Sequence, residues 1–271
     1  GIFALQLLLL IAYLLKEDKP SLRINWRIYK EKGLKEMLAF SLLLAASAIA
    51  ILGLKTLDAV MIGKFLPLSF VGIYTIASFI PTIIEAPYNA LDRIATARVA
   101  HAVAENNIEE LRTVFYKSVK YLSIIGGLLF VGVNGSIEYV LRLIGGDYVN
   151  GLTVVWIISI GSLINMMGGS NYGLIIYSAK YWVAAVIAIS MVVFTFALDM
   201  ILIPRFGLEG AAFATAVSWG GYAMVRVFII NRKFGFQPYD LNTFKTIAVV
   251  LICVAISFVL PELNGNITNI I

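Results

Sequence analysis

The chain has 271 residues, of which 60% are apolar and 14% charged, and its mean hydropathy is +0.90. A soluble domain carries roughly 25% charged residues to cover its surface, so this composition excludes a water-soluble globule and indicates a polytopic membrane protein. The formal charge of +5 calls for a topological reading before a nucleic-acid one, and a single Cys253 and a single His101 leave no material for a disulfide or a His/Cys metal cluster.

The first apolar segment, Phe3–Leu15, is too short to cross a hydrocarbon core of roughly 30 Å. Residues 1–15 therefore read as the end of a preceding transmembrane helix, and the start at Gly1 without methionine gives the chain the look of a fragment. Residues 16–33 form a basic linker, and the stretch Lys16–Lys35 carries seven Lys/Arg. Leu22, Trp26 and Tyr29 are spaced to lie against the membrane interface. Seven spans follow: Leu34–Ile62, Ser69–Ala100, Leu111–Val133, Leu152–Tyr177, Tyr181–Ile203, Leu208–Ile230 and Thr243–Leu260. Residues 34–231 then hold six spans, and 241–271 an extra helix and a truncated tail.

Tyr148–Ala179 runs 32 residues without a charge and without period-two alternation. That excludes a β-barrel, and a bilayer leaves helices as the remaining way to satisfy the backbone. Alternate sides of the spans carry sixteen Lys/Arg against three, Lys64, Arg142 and Arg205. The rich side, which includes the linker, Arg98, Arg112, Lys180, Arg226 and Lys245, is cytoplasmic by the positive-inside rule. The short turns near Phe65–Pro67, Gly145–Asn150 and Pro204–Gly207 face outward, as does the tail after Pro261.

Charges inside spans default to the protein interior or a hydrated path. Glu85, Tyr88 and Asp92 stand at i, i+3 and i+7, one face of a helix that Pro81 and Pro87 break. They read as an ion or substrate path, with a structural pairing to Arg93 or Arg98 as the alternative. Lys55 and Asp58 lie three apart, close enough to neutralise each other or to hold an anionic group. Ser162, Asn165, Gly169 and Tyr172 form a small and polar stripe suited to close helix packing. Asp199 is expected at the outer interface beside Arg205, and His101 near the cytoplasmic rim. Asn134-Gly-Ser136 and Asn266-Ile-Thr268 match the glycosylation acceptor pattern. No phosphate loop, metal-ligand spacing or soluble catalytic domain is present, so neither an enzyme nor a cofactor is expected.

Three stretches carry a family resemblance: Leu202-Ile-Pro-Arg-Phe-Gly-Leu-Glu-Gly-Ala-Ala-Phe-Ala-Thr-Ala-Val-Ser218, Asp58-Ala-Val-Met-Ile-Gly-Lys-Phe65 with Val71-Gly-Ile-Tyr74, and Leu143-Ile-Gly-Gly-Asp-Tyr148. They resemble the C-terminal half of polysaccharide (oligosaccharide) flippases, in the exporter superfamily that also holds the multidrug-and-toxin extruders and the lipid II flippases. The resemblance implies an all-α, polytopic membrane helix bundle of the MATE-like exporter fold, here one six-helix lobe plus flanking helices. Pro204 and Gly207 would form a very short outer turn, with Gly210-Ala-Ala opening a helix packed close to its neighbour.

What the resemblance implies about function is translocation of a polyprenyl-linked oligosaccharide across the cytoplasmic membrane by alternating access. Its partners would be membrane lipids, an N-terminal six-helix lobe of the same chain, and glycan polymerases or glycosyltransferases, without nucleic acid. Lys55 and Arg93 are the candidates for a basic central cavity. A cation-coupled multidrug or metabolite antiporter using Glu85 or Asp92 is one alternative, and a non-transporting scaffold in envelope assembly is another.

Overall fold

A computed structural model describes residues 5–6, 33–177, 181–237, 239 and 241–259. The expected helix end at Phe3–Leu15 (apart from residues 5–6), the basic linker and the tail with Asn266 lie outside the described residues. The chain divides into Gly1–Leu42 and Leu43–Ile271, and every site discussed below lies in the second unit.

All described secondary structure is helical. The elements are α1 (Gly33–Phe65), α2 (Leu68–Phe79), α3 (Thr82–Ala104), α4 (Ile108–Ile144), a 3₁₀ turn (Gly146–Gly151), α5 (Leu152–Met167), α6 (Tyr172–Ile176), α7 (Tyr181–Phe234) and α8 (Leu241–Val259). Their outer surfaces expose large apolar side chains, such as Leu128 at 72% and Val193 at 62%. Burying an apolar stripe is what drives helix docking in water, whereas in lipid the driving terms are close packing and hydrogen bonds. The interior follows that rule.

Several breaks are local and chemical. Between α2 and α3 the axis bends by 47° at Ile80–Pro81, so the expected span Ser69–Ala100 is interrupted. Pro81 provides the break, and Pro87 is accommodated within α3. Asn107 caps α4 by accepting from the Glu110 amide at 3.0 Å, with Glu109 and Glu110 favourably placed in the first turn. Helix α4 does not stop at Val133 as expected but runs on to Ile144. Asn134 is consequently a buried helical residue whose amide donates to the Phe130 carbonyl, which removes it as a glycosylation acceptor. The expected span Leu152–Tyr177 is also interrupted. Helix α5 ends at Met167, and Gly169 turns the chain with φ +72°.

Helix α7 doubles back at Gly207, whose φ of 60° and ψ of −134° only glycine adopts without strain. Its arms, 181–206 and 208–234, lie so close beyond the turn that a Cβ on Gly210 would fall 2.4 Å from the Leu202 carbonyl oxygen. The expected turn is therefore present, although Pro204 remains inside the first arm. Helix α5 packs on the second arm with the same intimacy. A Cβ on Gly161 would meet the Ala216 Cα at 2.7 Å.

One end of the bundle gathers the three turns that sequence assigns to a common side. Leu66, Tyr148 and Val149 pack on a cluster of Ile73, Ala77, Val154, Ile203 and Leu208. In a separate cluster Phe130 sets its ring edgewise to Trp156 at 5.8 Å, and Val250 of α8 presses on α4 at Gly127.

Candidate functional site

Two polar clusters lie within this apolar bundle. The first is centred on Asp58 of α1, which is 4% exposed. Its Oδ2 accepts from the Tyr74 hydroxyl of α2 at 2.6 Å and from Thr215 Oγ1 of the second α7 arm at 2.5 Å. Asp199, from the first arm, is fully buried, and its carboxyl lies near enough to Asp58 for the two to interact electrostatically. Asp58, Tyr74 and Thr215 come from the stretches that carry the family resemblance. What sequence alone offered as packing motifs thus meets around one carboxylate.

A cavity of about 390 Å³ adjoins this cluster, lined by Asp58, Tyr74 and Thr215 together with Glu85, Ser162 and Trp219. Glu85 of α3 accepts from Ser162 Oγ of α5 at 2.9 Å. The break at Pro81 lies at the cavity wall, where it turns the Glu85 face of α3 inward.

The second cluster is sealed. Arg226, 3% exposed, donates from Nη1 to the Tyr88 hydroxyl at 3.2 Å and from Nη2 to Asn165 Oδ1 at 2.7 Å. Its guanidinium lies 4.1 Å from the Tyr222 ring centroid. Asp92 accepts from Ser170 Oγ at 2.5 Å and interacts electrostatically with Arg226. The chain therefore sets one buried base against one nearby carboxylate, with neutral groups taking Nη1 and Nη2 while Nε has no hydrogen-bond partner among the described residues.

Placement of the expected residues is mixed. Glu85, Tyr88 and Asp92 do share a helix face, but Glu85 lines the cavity while Tyr88 and Asp92 belong to the Arg226 cluster. Asn165 joins them, and Ser162 serves Glu85, so that stripe is hydrogen-bonded as well as packed. Arg93 and Arg98 are exposed and do not face the stripe, because they project from the other side of α3. The side chain of Lys55 lies outside the described residues. His101 is exposed and paired with Glu105 at 3.3 Å.

Two assignments are corrected. Asp199 does not reach the interface beside Arg205, which is itself exposed. Helical periodicity puts Asp199 in the buried row of Ala188, Met191, Thr195 and Ile203, the inward face of its arm. Arg226 is not a rim base. It continues the buried row of Ala211, Ser218, Tyr222 and Ile230. A count of charges by loop misses it, and the four-residue steps from Ser218 to Tyr222 to Arg226 are the signal that could find it.

Among known proteins, the family described as polysaccharide biosynthesis protein matches residues 2–148, more than half of the chain. No curated protein matches. Two solved structures are similar at a TM-score of 0.61 and 19% identity. One is an outward-facing multidrug resistance transporter of the MATE family in the MOP superfamily, matched over 78% of this chain and 49% of its own. The other is a MOP-superfamily transporter from Pyrococcus furiosus Vc1, described as having a binding pocket of reverse polarity, matched over 82% and 52%. The chain spans about half the length of these structures. Its fold is the all-α membrane bundle of MATE-like MOP-superfamily transporters, and it is a multi-pass membrane protein.

Proposed function

The chain belongs to the polysaccharide biosynthesis protein family, and we propose that it forms one lobe of a flippase moving a lipid-linked oligosaccharide across the cytoplasmic membrane. In this reading residues 34–231 are the lobe, 1–15 end a preceding helix, 16–33 are a cytoplasmic linker and 241–271 hold an additional helix and tail. A second lobe supplies the surface against which this one rocks during alternating access.

The observation that carries the reading is the cavity beside Glu85. Its wall offers the hydroxyls of Tyr74, Thr75, Ser78, Thr82, Ser162 and Thr215, two carboxylates and the Trp219 indole. Sugars are bound by that combination, since hydroxyls and carboxylates pair with sugar hydroxyls while an aromatic face covers their C–H surface. The described lining contains no base, whereas a polyprenyl pyrophosphate is strongly anionic. We therefore assign the glycan to this lobe and the pyrophosphate to bases elsewhere, with the lipid tail left in the bilayer. Arg226 is withheld from that role by its own burial and partners.

The acidic lining also favours a second reading, a cation-coupled antiporter of the same fold. Export measured in cells that depend on the intact protein tests the first against the second. Loss of glycan export in Glu85→Gln at normal protein yield supports the flippase, and loss of drug efflux with unaffected glycan export supports the antiporter.

A further inference from the structure

The cavity beside Glu85 has a hydrogen-bonding polarity of its own. Six hydroxyl groups reach its wall, and each gives its proton to a group of the protein. Thr75 donates to the Val71 carbonyl at 2.7 Å, Ser78 to the Thr75 carbonyl at 3.2 Å and Thr82 to the Phe79 carbonyl at 2.5 Å. Ser162 donates to Glu85 Oε1 at 2.9 Å, while Tyr74 and Thr215 both donate to Asp58 Oδ2. A hydroxyl carries one proton and two lone pairs, so acceptor capacity is what these groups have left to offer.

The pattern follows from local structure. Serine and threonine in a helix turn back on a carbonyl three or four residues earlier, and Thr75, Ser78 and Thr82 do so on both sides of the Pro81 break. The other three hydroxyls meet carboxyl groups, which add acceptors of their own. Against them the Trp219 indole N–H is a single donor, and no lysine or arginine stands among the described residues of the wall. A ligand for such a surface has to bring the donors. A carboxylate, phosphate or sulfate on a sugar brings only acceptors, and seating one beside two acids would also require the hydroxyls to break the bonds they make. An N-acetyl group brings one N–H and one carbonyl. A protonated amine brings three donors, a positive charge and no acceptor.

We propose that the glycan segment seated in this cavity contains an amino sugar with a free amine. Its ammonium is held by Glu85 and by the lone pairs of Thr82 and Ser162, and its ring lies against Trp219, all of which line the same space. The cavity, about 390 Å³, falls within the range of small-ligand sites. Glu85 is then the residue that sets specificity, since it supplies the charge that a free amine gains and an acidic sugar loses. The proposal rests on the flippase reading and names the substrate class of its cavity.

The intact protein, purified in detergent, is titrated with three disaccharides at a pH that keeps amines protonated. They are the glucosamine disaccharide, its fully N-acetylated form and cellobiouronic acid, with methylammonium chloride as a bare cation. The readouts are tryptophan fluorescence, to which Trp219 in the cavity contributes, and the thermal unfolding midpoint, which a ligand of the folded state raises in a saturable way. The glucosamine disaccharide is expected to bind at least tenfold tighter than the N-acetylated form and than methylammonium, with cellobiouronic acid weakest. Glu85→Gln should shrink the preference for the amine to threefold or less while the N-acetylated form still binds. Thr82→Val, which keeps the side-chain shape and removes an acceptor, should weaken the glucosamine disaccharide at least threefold. Equal binding of the free and acetylated amines would overturn the proposal and leave the glycan reading standing, as would cellobiouronic acid binding as tightly as either. Methylammonium binding as tightly as the glucosamine disaccharide would overturn it, as would an unchanged preference in both variants. Saturable binding of none of the disaccharides would overturn the proposal together with the assignment of the glycan to this lobe.

Discussion

Arg226 Nη2 donates to Asn165 Oδ1 at 2.7 Å, joining the second arm of α7 to α5 across 61 residues of sequence. The bond sits in a buried network with Tyr88, Tyr222 and Asp92 that locks three helices together below the cavity. Removing the guanidinium strands Asp92 and the Asn165 carbonyl. Arg226→Met is expected to cost about 3–5 kcal/mol, the range for breaking a buried charged pair. The measurement is the yield and melting temperature of detergent-purified protein, and Asp92→Asn combined with Arg226→Met should recover part of the loss.

Close helix contact gives a second test. The gap at Gly161 has no room for a side chain, because a Cβ would meet the Ala216 backbone at 2.7 Å. Gly161→Val should destabilise by about 1–3 kcal/mol through overpacking. Gly72→Ala, where a Cβ meets nothing within 4 Å, should leave the melting temperature unchanged.

These two sites also show what sequence could and could not disclose. Composition and the charge-free run over Tyr148–Ala179 fixed the helical membrane class, and the Pro204–Gly207 stretch located the turn that Gly207 makes. The break at Gly168–Ser170 is not legible in the sequence, because an apolar span continues on both sides and hydropathy does not register a short change of backbone conformation. Asp58 and Glu85 were visible as intramembrane charges. Proximity in sequence to a loop suggests the rim for Asp199 and Arg226, whereas helical phase puts both inside. Their neighbours, Thr195 and Ile203 for one and Tyr222 and Ile230 for the other, carry the phase that puts them inside.

Tyr74 holds Asp58 by a bond of the charge-assisted kind, worth about 1.5–3 kcal/mol. Tyr74→Phe keeps the ring in its buried slot and deletes only the donor. Lower melting temperature with unchanged cell-surface topology is the expected outcome, and an unaltered melting temperature would show that Thr215 alone satisfies Asp58.

The base distribution predicts a sidedness in which the end that gathers Leu66, Tyr148 and Leu208 faces outward. In a background lacking Cys253, a cysteine at Asp147 should react with a membrane-impermeant thiol reagent applied to intact cells. A cysteine at Asn106, between α3 and α4, should react only after the membrane is opened. The reverse pattern would invert the topology.

The most direct test of the central claim fills the cavity without disturbing the core. Thr75 is exposed, lines the cavity and makes its side-chain bond only to the Val71 carbonyl one turn away. Thr75→Trp in the intact protein should accumulate to normal levels yet stop glycan export, with lipid-linked oligosaccharide building up on the cytoplasmic leaflet. Leu128→Trp, on an exposed face of α4, serves as the control and should export normally. Normal export by Thr75→Trp would contradict the account, because the glycan would then have to pass elsewhere.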